Sequence, residues 1–410
     1  MVRILKACGL ALLVCVGLVV LIRLVNYDRL KPPVKSDFVQ DYFLARSIIS
    51  GNNPYLPLNE LGVRFGVPNE IPHSSTHPPS FAILCLPLGL LSFQQAAFVW
   101  LILGLTSLVI SLHLLFGVKG AGLPIICLIA VAWPPILFDL FLGQLMLPML
   151  LLLTLAWLTL KSQRDLIGGI LLGLTISIKL ITWPLLIFLL IRRRFKATLA
   201  AAGVFVLLNL IAVLLMGLRP VTTYYFQNSP QIAAIYRNNV FNFSAWTIGT
   251  RLFAGTGAVD APWFHTNPLI DAPMLVALTS IICVAAVLVY GFFFAIKARR
   301  FDTSVAVLIN IAVIVSPVTW IFYMVLVLLP IAMLRTVEDW KTKAKIALCM
   351  IAPFVSQSVL PIFGSSSSFA IALLMLLPMI AILLLVTAHH HQDRTIDRQT
   401  HSESTVTTHT

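Results

Sequence analysis

The chain has 410 residues, of which 59% are hydrophobic and only 10% charged, and its mean hydropathy is +0.97. A soluble domain carries about 25% charged residues, so this composition excludes a soluble protein and predicts an all-α polytopic membrane protein. The net charge of +13 does not mark a nucleic-acid binder, because Lys and Arg fall in short loops between apolar runs rather than in one patch.

The first apolar run, 4–25, follows Arg3 and Lys6 in the manner of a signal peptide, but no small-x-small cleavage site precedes Arg23, so it reads as an uncleaved first span. A long loop, 26–95, comes next. Within it Phe38, Tyr42, Ala45 and Ile49 recur at helical spacing, with Asp37, Gln40, Asp41, Ser47 and Ser50 on other faces. Gly51 and Asn53-Pro54 then supply a stop and a turn. This is the pattern of a short amphipathic helix lying at the membrane interface. Residues 80–92 are apolar but short, and Pro87 interrupts them, which suits a re-entrant or interfacial piece.

Apolar runs at 96–116, 123–140 and 145–160 are long enough to read as spans. The stretch 166–191 is different. Lys179 and Pro184 interrupt it, and both of its flanks are basic, so two half-helices meeting near Lys179 fit better than one crossing. Another run, 197–216, precedes a second long loop, 217–273, rich in Asn, Thr, Tyr, Trp and Pro. Runs at 274–296, 346–362 and 369–387 follow, and 303–334 is broken in its middle by Ser316–Trp320, "SPVTW". Counting short pieces, about 10–12 membrane passages are predicted. From 388 onward the chain is polar, rich in His and Thr, and reads as a disordered cytoplasmic tail. No internal repeat is visible. The six cysteines sit in or beside apolar segments without a C-x-x-C pair, so they predict neither a disulfide frame nor a thiolate metal site.

Most of the 28 Lys and Arg fall in loops that share one side when the N-terminus is cytoplasmic. Both termini are therefore placed in the cytoplasm, the two long loops outside, and the chain in the inner or plasma membrane. Four bases soon after the first span oppose this orientation, and the sum over many loops outweighs them.

The pattern D-F-x-x-x-Y-x-x-A-x-x-I-I-x-G-x-x-P-Y, Asp37 to Tyr55, resembles the first external loop of glycosyltransferase family 87. "THPPSFAILCLPLGLL" (Thr76–Leu91) is similar to that family's Y-P-P-L segment, with His77 in place of tyrosine. "PPILFDLFLGQLMLPMLLLL" (Pro134–Leu153) carries its G-Q step, and "GGILLGLTISIKLITWPLLIFLLIRRRFKA" (Gly168–Ala197) its succession of Gly, Lys-Pro and Arg. "NFS" (Asn242–Ser244) and "SPVTW" are weaker matches, and Phe322 and Tyr323 stand where family members often carry histidine. The family includes phosphatidylinositol mannoside mannosyltransferases. The resemblance implies a GT-C fold, a polyprenyl-phosphate-linked sugar donor, a hexose such as mannose, and a lipid or glycan acceptor.

In such a transfer a carboxylate near the acceptor removes its proton, and positive groups stabilise the leaving phosphate. The resemblance makes Asp37 the general-base candidate, because it stands at the family's first-loop aspartate. The plainer reading is an N-cap, with Gln40 completing a capping box. Asp41, His77, Gln144, Lys179 and Arg251 are the substrate-binding candidates. Asp41, at i+4 from Asp37, reads otherwise as a solvated surface acid. Lys179 is a charge among apolar residues and a functional candidate for that reason, or a snorkelling side chain. Arg251 faces a phosphate or is a solvated loop charge. Gln144 hydrogen-bonds a sugar or satisfies backbone at a helix break. His77 with Asp37 makes too small a set for a metal site, so no tightly held metal is expected, and divalent-ion dependence stays open. The competing classes are a transporter or lipid flippase, which also uses broken helices and buried charge, and a non-enzymatic membrane scaffold. Transporters of many classes show matched repeats, and they seldom need a long acid-bearing first loop.

Overall fold

The computed structural model describes residues 36–407 apart from 121, 260 and 364–367, together with the isolated positions 17, 18 and 22; side chains within helices are described up to residue 393 except at 357–363. The predicted first span, 4–25, thus lies almost wholly outside the described residues. The chain divides into two compact units, Met1–Thr182 with Phe195–Ile235, and Trp183–Arg194 with Tyr236–Thr410. It is an all-α polytopic membrane protein, with a short β ribbon in the second unit.

The first unit contains α1 (Phe38–Ile49), α2 (Leu58–Phe65), α3 (Pro79–Cys85), α4 (Phe93–Phe116), α5 (Gly122–Val131), α6 (Pro134–Leu142), α7 (Met146–Lys161), α8 (Asp165–Ile178), α10 (Phe195–Met216) and α11 (Leu218–Thr223). The helix α9 (Trp183–Ile191) belongs to the second unit. Among the described residues three helices are long and apolar enough to cross a bilayer: α4, α10 and, in the second unit, Pro273–Lys297.

The predicted span 123–140 is instead the pair α5 and α6, bent by 78°. Its cause is Pro134-Pro135, since the residue before a proline is pushed out of the helical region, and Trp133 is extended at φ −76° and ψ 125°. Helix α7 has 16 residues, or about 24 Å, short of the roughly 30 Å of a hydrocarbon core. The stretch 166–191 breaks at the predicted place: α8 ends at Ile178, Lys179 is extended, and α9 begins at Trp183.

Glycines set the packing of α8 on α10. A β-carbon on Gly169 would lie 2.3 Å from the Ala197 carbonyl oxygen, and one on Gly173 2.6 Å from that of Ala201. Small residues on both helices let the backbones touch, the usual means of association where apolar burial gives no advantage over lipid.

The first-loop helix α1 is covered on more faces than the one apolar stripe its spacing predicts. Phe38, Val39, Gln40, Asp41, Tyr42, Phe43, Leu44, Ala45 and Ser47 are all buried, and Ile49, expected on the buried face, is 42% exposed. Val39, Phe43 and Leu44 fill the faces outside the predicted stripe. The helix packs on the 80–92 segment, where Tyr42 Oη donates to Leu91 O at 3.2 Å and Arg46 donates to Gly89 O at 3.0 Å.

In the second unit, besides α9, α12 (Ile248–Phe253) precedes the ribbon β1 (Thr256–Ala258) and β2 (Ala261–Thr266), which pair antiparallel with Thr256 opposite Thr266. Then come α13 (Val276–Lys297), α14 (Phe301–Val315), α15 (Leu328–Met333), α16 (Trp340–Phe363), α17 (Phe369–Leu374) and α18 (Leu377–Thr407). The predicted span 369–387 is divided between α17 and α18. The stretch 303–334 breaks at "SPVTW", as read. There Asn242 receives the Thr319 N–H at 2.9 Å and donates to Pro317 O, and Trp246 donates to Val315 O at 2.9 Å. The "NFS" and "SPVTW" motifs therefore clasp one another. Helix α18 continues over the stretch from 388 expected to be disordered, and Asp393 accepts the backbone N–H groups of Arg299 and Arg300, which ties that segment to the start of α14.

Candidate active site

Asp37 stands at the N-terminal end of α1, half-buried, and its side chain makes no capping hydrogen bond to its own helix. The capping-box alternative is therefore not what its carboxylate does. Oδ2 instead receives a hydrogen bond from the Gln144 amide, and Oδ1 a longer one, 3.4 Å, from Gln40 Nε2.

The G-Q step explains how Gln144 gets there. Gly143 ends α6 at φ +68°, and a β-carbon on it would lie 2.7 Å from Phe38 Cβ. Only glycine takes that conformation without penalty and admits so close a neighbour. Trp100 Nε1 donates to Gly143 O at 2.9 Å and stacks on Phe38, while Ser36 donates to Leu142 O at 3.0 Å. The turn is thus fastened to the start of α1 from both sides.

Asp139, which the sequence reading passed over, supports the same turn. Its carboxylate accepts the N–H groups of Met146 at 2.9 Å and Leu147 at 3.3 Å, and its carbonyl accepts the Gln144 N–H at 2.7 Å. An acid inside the apolar run just ahead of a helix start was the available signal.

Asp41 is not a solvated acid. It is fully buried, and its Oδ1 lies 2.5 Å from Nδ1 of His77, itself 1% exposed. The partner of His77 is thus Asp41 rather than Asp37. Asp41 Oδ2, His77 Nε2 and Gln144 Oε1 are buried without a protein partner among the described residues. The segment bearing His77 is held from three sides. Tyr55 Oη donates to His77 O at 3.1 Å, Tyr224 Oη to Thr76 O at 2.9 Å, and Gln40 Oε1 accepts both the N–H and the hydroxyl of Thr76. Tyr224 opens a turn of π-helix, Tyr224–Asn228, a feature found often at functional sites.

Burial raises the proton affinity of Asp37 above the ordinary carboxylate value; the Gln144 hydrogen bond and the charges of His77 and Lys179 oppose this, and Asp41 adds to it. Burial likewise raises Asp41, against the charge and hydrogen bond of His77 and the charge of Lys179. Lys179, half-buried at the break after α8, is thus within electrostatic reach of both carboxylates. The first unit brings together Asp37, Asp41, His77, Gln144 and Lys179.

Arg251 belongs to the second unit and is neither solvated nor turned to a ligand. It is 1% exposed and donates to Val240 O, Asn242 O, Ala372 O and the Thr247 hydroxyl. Burial lowers its pKa to about 9. Its donors hold backbone together. Among the described residues no group of three or more His, Cys, Asp or Glu gathers as a metal site would.

A half-buried carboxylate with raised proton affinity, amide donors on its oxygens and a cation nearby can accept a proton from a hydroxyl while a neighbouring anion is stabilised. No curated protein and no solved structure matches the chain. The family model for glycosyltransferase family 87 matches residues 76–317, a span that holds His77, Gln144, Lys179 and Arg251 and begins after Asp37 and Asp41. The match covers more than half of the sequence, and the chain belongs to glycosyltransferase family 87.

Proposed function

We propose that this membrane glycosyltransferase, built on a GT-C-like plan, transfers a hexose from a polyprenyl-phosphate donor to a hydroxyl of a lipid or glycan acceptor at the external face, with Asp37 as general base. The acceptor oxygen forms a bond to the anomeric carbon as the bond from that carbon to the phosphate oxygen breaks. The electron pair leaves with the lipid phosphate, the acceptor proton passes to Asp37, and attack opposite the leaving group inverts the anomeric centre. Lys179 is the cation that meets the phosphate charge. Such a contact contributes typically ~10²–10³ in rate.

One observation carries this reading. The Asp37 carboxylate is held by the side chains of Gln144 and Gln40 rather than by the backbone N–H groups of its own helix, and it remains half-buried rather than enclosed. A base must reach an incoming hydroxyl, and the fully buried Asp41 is worse placed to do so.

The test is direct. Purified protein is given radiolabelled polyprenyl-phosphate mannose, glucose or galactose with a lipid extract, and the products are separated. Label in a new glycolipid is expected with at least one donor. Label that stays in the donor with all three, while the donor lipid moves between leaflets of a reconstituted vesicle, would mean a flippase instead.

A further inference from the structure

Helix α1 places a second carboxylate one turn from the first, and this creates an electrostatic difficulty. Like charges on neighbouring acids raise each other's proton affinity, and Asp37 must be ionised before it can act as a base. Among the described residues, few charged or titratable groups bear on the two acids. Asp37 is influenced by Asp41 on its own helix, by His77 from the segment before α3 and by Lys179 at the end of α8. Asp41 is influenced by His77 and Lys179, and it acts in turn on the Cys85 thiol of α3.

His77 is the group committed to Asp41. The two are in contact at 2.5 Å and both buried, and the segment carrying His77 is fixed by the hydroxyls of Tyr55 and Tyr224 and by Gln40. Gln40 touches both parts of the site: its oxygen holds Thr76, and its amide nitrogen reaches Asp37. The position of His77 is thereby tied to that of the base.

We propose that His77 is a positioning residue for the transfer: paired with Asp41 it cancels that carboxylate's charge, so that Asp37 alone carries free negative charge and stays ionised to receive the acceptor's proton. The inference rests on the reading of Asp37 as base. It differs from a purely structural ion pair in what happens when both partners are removed together.

The experiment measures initial rates against pH for the purified full-length protein with radiolabelled polyprenyl-phosphate mannose, in wild type, His77→Gln, Asp41→Asn and the double variant. Losing an opposite charge beside an acid raises its pKa by about 1–3 units. His77→Gln is expected to move the acid limb of the rate profile upward by about that much. Asp41→Asn removes the repelling charge and leaves the limb in place or lowers it. The double variant has neither charge and returns the limb close to wild type. A double variant that keeps the full upward shift of His77→Gln would overturn the proposal, since His77 would then act through a contact of its own; so would a His77→Gln profile that does not move.

Thermal unfolding against pH supplies a second readout that needs no turnover. In His77→Gln the buried Asp41 has no imidazole partner to oppose the burial that holds its folded-state pKa above the unfolded one. The folded form then binds the proton more tightly, so this variant loses stability relative to the double variant as pH rises through that raised value. Parallel curves would contradict charge cancellation. Wild-type protein inactive with every donor would sink the proposed transfer, and the unfolding comparison would then decide the pairing by itself.

Discussion

Gln144 is the residue through which the site can be tuned without touching its base. Its amide donates to Asp37 Oδ2 and so favours the ionised carboxylate. A hydrogen bond to a charged group contributes about 1.5–3 kcal/mol, and one pKa unit corresponds to about 1.4 kcal/mol. Gln144→Leu is therefore expected to raise the Asp37 pKa and shift the acid limb of activity upward by about one unit or more, while rates well above the limb change less. A profile that falls by the same factor at every pH would mean that Gln144 contacts substrate instead. The pairing of Asp41 with His77 was not legible in the sequence, because 36 positions separate them and nothing local marks the contact. Asp37 was singled out as a base candidate only through the family pattern; the residues alone favoured a helix cap. The buried fate of Arg251 was hidden for a related reason, since carbonyl acceptors leave no trace in a sequence.

The breaks at Lys179 and "SPVTW" were the most legible elements, because they interrupt runs that are otherwise uniformly apolar, whereas the break at Pro134 was missed and 123–140 was read as one span. Helix α1 was legible as a helix but not in its burial, because a spacing of four picks out Phe38, Tyr42, Ala45 and Ile49 but cannot show that Val39, Phe43 and Leu44 are covered too. The contact of α8 with α10 makes a prediction at this scale. Gly169→Ala places a β-carbon on the Ala197 carbonyl, and overpacking of this kind costs typically ~1–3 kcal/mol. Gly203→Ala, on α10, meets nothing within 4 Å and should stabilise by up to ~1 kcal/mol through helix propensity. Thermal unfolding in detergent compares the two. Equal effects would mean that the helices are not in backbone contact.

Across the whole molecule, the composition alone showed a polytopic helical membrane protein, and the ordered motifs led to the family. The basic flanks of 166–191 predict that Lys161 and Arg194 share the cytoplasmic side. Cysteines introduced at each position in a cysteine-free background should both resist an impermeant reagent in intact cells; labelling of either would defeat that topology. The central claim is that the chain is a transferase whose base is Asp37. It is tested most directly by initial transfer rates for wild type and Asp37→Asn, measured on purified protein with equal unfolding temperatures. The substitution keeps the size of the side chain and a good helix-capping group, and it removes the ability to take a proton. The account predicts a loss of ~10²–10⁴-fold with stability preserved. An Asp37→Asn enzyme that transfers sugar at close to the wild-type rate would contradict it.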